Sequence, residues 1–99
     1  MASVKRYLQK SIFYLLLYVD PEESIKFSGV DVNAAFHQVF YQLLGFNKLL
    51  LEPPEVLVVM NLLEAALTMY NSEDFDWKVY RKLILDAGSK IMEVKEGDC

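Results

Sequence analysis

Residues 55–71 read EVLVVMNLLEAALTMYN, and they come directly after Pro53-Pro54. Proline in a first turn gives up an amide that no intrahelical carbonyl would have used. The interior holds no Gly or Pro, and its Leu, Met, Ala and Glu favour helix. At about 100° per residue, Asn61, Glu64, Thr68 and Asn71 gather into one narrow polar stripe, with Leu57 beside them in the first turn. Apolar side chains fill the rest of the circumference. A helix of that kind is expected to be covered on nearly all sides, by the chain itself or by a second copy.

The segments around it carry helical periodicity too. From 3 to 19, with Ser3 read as the N-cap, Val4, Leu8, Leu15 and Val19 share a face with Ile12 and Leu16 beside it. Tyr7, Tyr14 and Tyr18 form an adjacent stripe. The run IFYLLLYV would also suit a strand, the lesser reading. Asp20-Pro21-Glu22-Glu23 has the form of a helix start, and Ser28-Gly29 confines that element to a short capped turn near 20–26. Asp31 or Ser28 opens a helix over 32–45 whose stripe is Val32, Ala35, Phe36, Val39, Phe40 and Leu43, with Gly45 as its stop. Residues 46–52 read equally as resumed helix or as extended chain running into the prolines. The last helix spans 75–95, with Trp77, Tyr80, Ile84, Ala87, Ile91 and Val94 in register. Gly88 allows a close approach by another helix, and Gly97 ends the element. Lys82–Asp86 and Asp86–Lys90 are four-apart pairs on its exposed side. The expectation is all-α: one domain over 1–99, a compact bundle of about four helices at 3–19, 32–45, 54–71 and 75–95.

Composition bears on partners. The chain is 54% hydrophobic before Gly is counted, against a usual ~45–50% with Gly included. A 99-residue domain has a limited interior, so the surplus is expected to meet a partner. Net charge is −4, which argues against nucleic acid or an anionic membrane as the default partner. The lone thiol, Cys99, cannot build a disulfide framework or a cysteine zinc site, and a cytoplasmic setting is expected. Lys5 and Arg6 precede an apolar run, but Gln9, Lys10 and Ser11 interrupt it and no small-x-small site comes after it, so a secretory signal is not expected. No apolar stretch reaches the ~20 residues of a membrane span.

Chemistry-bearing motifs are sparse. There is no phosphate-binding Gly-rich loop, no Cys or His pair with ligand spacing and no nucleophile motif, so catalytic residues, metal and cofactor are all expected to be none. The acids at 20, 22, 23 and 31 lack the ligand order of a calcium loop and read as helix caps. Glu64 with Glu52 or Glu55 has no spacing that makes a catalytic pair. Trp77 heads an apolar stripe and reads as core rather than as a recognition aromatic; Met60, Met69 and Met92 read as core filling rather than an adaptable surface.

The functional expectation is therefore a non-enzymatic interaction module, a small acidic regulatory or adaptor protein acting as a homodimer and meeting another protein. Its possible interface is the stripe Tyr7, Tyr14 and Tyr18 with the flank Val58, Leu62 and Met69. The alternative is a small catalytic module using His37. That lone histidine on the polar face of an amphipathic helix resembles the arrangement in histidine phosphotransfer domains, which are helical bundles of similar size. Phe36-His37-Gln38-Val39-Phe40 departs from them in lacking the Lys-Gly that they place shortly after the histidine.

Overall fold

The computed structural model describes residues 2–22, 24–27, 29–50 and 52–94, and over them it is an all-α bundle with no strand. The order is α1 (Ala2–Leu17), a short 3-10 turn (Ser24–Phe27), α2 (Val32–Leu49), α3 (Pro54–Tyr70) and α4 (Trp77–Ile91). The helices form a ring: α1 packs on α4, α4 on α3, α3 on α2 and α2 on α1, with the α3–α4 seam the most extensive. The bundle is elongated, 42 × 24 × 19 Å. None of the described helices is long and apolar enough to cross a membrane.

Each periodic stripe becomes a core face. Leu8, Ile12 and Leu15 of α1 meet Phe36, Val39 and Leu43 of α2, Val56, Val59, Leu63 and Ala66 of α3, and Tyr80, Ile84, Ala87 and Ile91 of α4. IFYLLLYV is thus helical up to Leu17, because its apolar positions recur at the spacing that this core can bury.

The ends of the helices differ more. Asp31 caps α2, accepting from the Ala34 amide, and Asp76 caps α4, accepting from the Lys78 and Val79 amides. Asp20 accepts from the Glu22 amide, so its carboxylate organises the turn as a cap does. The first helix begins at Ala2, which places Ser3 inside the first turn rather than before it. The expected stop at Gly45 is overridden: α2 continues to Leu49 because Phe46, one residue on, is buried in the core, and that burial outweighs about 1 kcal/mol of glycine cost. This also settles most of 46–52 as helix. Glu52 then turns the chain with a positive φ of 57°, its amide donating to the Asn47 carbonyl. The last helix is shorter than expected at both ends, and Gly97 lies outside the described residues.

Within the single chain α3 buries Val56, Val59, Leu63 and Ala66, packs Met60, Leu62, Leu67, Met69 and Tyr70 half-buried against the core, and leaves Leu57, Val58 and Ala65 exposed along with the polar stripe.

Candidate interaction surfaces

Tyr7 and Tyr14 of α1 and Tyr18, one residue beyond its end, do converge. Tyr7, Tyr14 and Tyr18 line a groove of about 160 Å³ between α1 and α2, completed by Ser11, Gln38 and Gln42. Seven- and four-residue spacing holds the rings on one side of α1, and Tyr14 and Tyr18 stack at 5.9 Å. The Gln42 amide donates to the Tyr7 hydroxyl oxygen at 3.3 Å, while the Gln42 Oε1 atom is buried without a partner. The lining is uncharged. It offers hydroxyls and amides on an aromatic floor, which suits recognition by hydrogen bonding.

Val58, Leu62 and Met69 lie elsewhere. They sit on α3, which faces α1 across the ring. Val58 is exposed, whereas Leu62 and Met69 are half-buried against the core. The Met69 sulfur also accepts from the Asp76 amide at 3.3 Å, which ties it to the α3–α4 turn. The two halves of the expected interface therefore belong to opposite sides of the bundle.

A surface that the periodicity did not single out stands on the outer side of α2. Tyr41 is 81% exposed, Leu49 73% and Leu44 48%. With Gly45 and Lys48, Tyr41 and Leu44 form a shallow apolar depression. Gly45 is inside the helix, and a Cβ placed there would touch nothing. The signal was present in the sequence, since Tyr41 and Leu44 fall off the core stripe, but reading Gly45 as a helix stop hid the continuous face.

His37 is exposed on the same helix. Trp77 is half-buried, stacked on Tyr80 at 6.0 Å, as a core residue would be. Met60 also packs on the core, and Met92 is exposed. Of the expected ion pairs on α4, Lys82–Asp86 forms at 2.9 Å, while Lys90 turns to Glu93 at 3.0 Å instead of Asp86. Comparison with known protein families, characterised proteins and solved structures finds no match.

Proposed function

We propose that the protein is a non-enzymatic interaction module that pairs with a second copy of itself and leaves further surface for another protein. One observation carries the reading: Gly45 interrupts no helix, fits no intramolecular contact, and lies between large exposed apolar side chains. A glycine inside a helix costs about 1 kcal/mol relative to alanine. No contact within the single chain requires a glycine there, whereas a helix of a second copy laid across Gly45 gains close backbone approach and covers Tyr41, Leu44 and Leu49. Covering the exposed parts of three such side chains is worth roughly 3–6 kcal/mol before the cost of association. An isologous two-fold contact of one helix face on itself is the simplest closed arrangement. Tyr7 adjoins this face through its bond with Gln42, so the tyrosine groove lies at the rim of the same contact.

Sedimentation or light scattering across a dilution series tests it. The wild-type protein is expected at twice 11.4 kDa, and Leu44→Glu is expected at the single-chain mass with its helical spectrum intact. A single-chain mass for the wild type at every concentration would refute the pairing. Loss of the pair in Tyr7→Ala but not in Leu44→Glu would move the contact to the tyrosine groove.

A further inference from the structure

Cations are unevenly placed. The first helix carries Lys5, Arg6 and Lys10 with no acid, and α4 carries Lys78, Arg81, Lys82 and Lys90 against Asp86 alone. These two helices are neighbours and run antiparallel. Lys5 Nζ donates to the Val94 carbonyl at 2.8 Å, Gln9 Nε2 to the Gly88 carbonyl at 3.1 Å, and the Tyr80 hydroxyl to the Leu15 carbonyl at 2.6 Å. Phe13 lies against Gly88. Arg6 is seven residues before Phe13 and Lys10 seven before Leu17, so these four share the outer side of α1. Arg81 is seven before Gly88, which turns it towards the same seam from α4, outside the lining of the groove. A groove of about 300 Å³ runs past Arg6, Lys10, Phe13 and Leu17. Among the described residues, Arg6, Lys10, Lys78 and Arg81 form no ion pair, whereas Lys82 and Lys90 do.

We infer that this α1–α4 face docks an acidic amphipathic helical segment of a partner protein. It rests on the reading of the molecule as an interaction module, but not on its pairing with itself. Charge complementarity selects the occupant: apolar side chains enter the groove over Phe13 and Leu17, and flanking carboxylates meet Arg6 and Lys10, the two unpaired cations that line it. From Arg6 to Leu17 the groove is about 16 Å long, the length of about three helical turns. Nucleic acid fits less well, because the Phe13 ring is seated on Gly88 rather than free to stack on a base, and the net charge of −4 repels a polyanion at a distance. An anionic lipid surface fits less well because Phe13 and Leu17 are half-buried in a concavity and do not protrude.

Fluorescence anisotropy with a labelled four-turn helical peptide tests the inference. The peptide carries Leu on one face and Glu on the other; its counterpart has Lys in place of Glu. Phosphatidylserine vesicles and a single-stranded DNA are offered in parallel. The acidic peptide is expected to bind at low salt, at least about tenfold more tightly than the basic one, and to weaken as salt rises. Arg6→Glu combined with Lys10→Glu is expected to weaken it about tenfold or more, while Asn61→Glu on the exposed polar stripe of α3 leaves it unchanged. Circular dichroism checks that each variant folds, and Lys10→Gln is the milder substitute if the double reversal does not. Equal binding of the two peptides, indifference to charge reversal, or preference for vesicles or DNA would overturn it. Mass measured in the same samples separates the two readings: a pair that ignores the acidic peptide removes this inference alone, and a lone chain that binds it removes only the self-pairing.

Discussion

The hydroxyl of Tyr80 is buried and crosses the core to a backbone partner, the Leu15 carbonyl near the end of α1. Carbonyls in the last turn of a helix have no intrahelical donor, so the phenol satisfies one that would otherwise be buried unpaired. Tyr80→Phe is expected to cost about 1–3 kcal/mol in chemical denaturation. Burial, with Tyr70 adding in the same direction, holds the phenol above the ordinary tyrosine value of about 10. In alkali the unfolded chain therefore loses this proton before the folded one does. The unfolded state then binds fewer protons, and stability falls as pH rises. The contribution is whole below pH about 10 and is lost as pH climbs towards the folded value, so Tyr80→Phe should flatten the alkaline arm of the stability curve. A difference curve that stays level above pH 10 would contradict this. Gly88 makes a second residue-scale test. Alanine there gains about 1 kcal/mol of helix propensity but overlaps the Phe13 ring, a kind of overpacking that costs about 1–3 kcal/mol. Gly88→Ala should destabilise the wild type and stabilise a Phe13→Leu background, and a double-mutant cycle reads the coupling. The two residues differ in legibility. Gly88 could be flagged as a close approach because glycine is costly in a helix, whereas Tyr80 looked like any core aromatic. Its partner is 65 residues away, and no local pattern encodes that.

At the scale of the elements, caps and core stripes could be read from the chain because both are local. Asp31 sits one residue before α2 as read, whereas Asp76, which the expected range 75–95 placed inside the last helix, is its cap; the stripes of α2 and α4 became buried faces as spaced. The stop at Gly45 failed because two local rules conflicted and tertiary burial decided: glycine ends helices, yet Phe46 needed the core. The same conflict yields a prediction. Gly45→Ala places a methyl in open space in the single chain and should raise its stability by about 0.8–1 kcal/mol, read from the urea midpoint under dissociating dilution. If a second copy crosses at Gly45, the same substitution should weaken the pair. Stabilisation with undiminished pairing would place the contact elsewhere. The interface expected from sequence split for a different reason: helical spacing says which residues share a face of one helix, not which helices are neighbours. Tyr7, Tyr14 and Tyr18 stayed together along α1 and its C-terminal turn, while Val58, Leu62 and Met69 went to α3, across the ring.

For the molecule as a whole, the ring is closed by the contact between its first helix and its last, which is more extensive than that between α1 and α2. Charge, burial and hydrogen bonding all meet there, and none of that could be read before the antiparallel register of α1 and α4 was known. A chain ending at residue 71 should consequently lose more than one helix of signal, exposing the Leu8, Ile12 and Leu15 face and binding a hydrophobic dye. Retention of a compact three-helix unit that leaves the dye dark would show that α2 shelters α1 unaided. The same closure sets an order of events at the ribosome. Helix α1 is made before α4, its most extensive partner, and at about 5–20 residues per second the stretch from Leu17 to Trp77 takes several seconds to synthesise. Throughout that interval α1 has α2 alone to pack on and the side that α4 covers stays open, the kind of surface that chaperones shield, and delivery of α4 is the step that covers it.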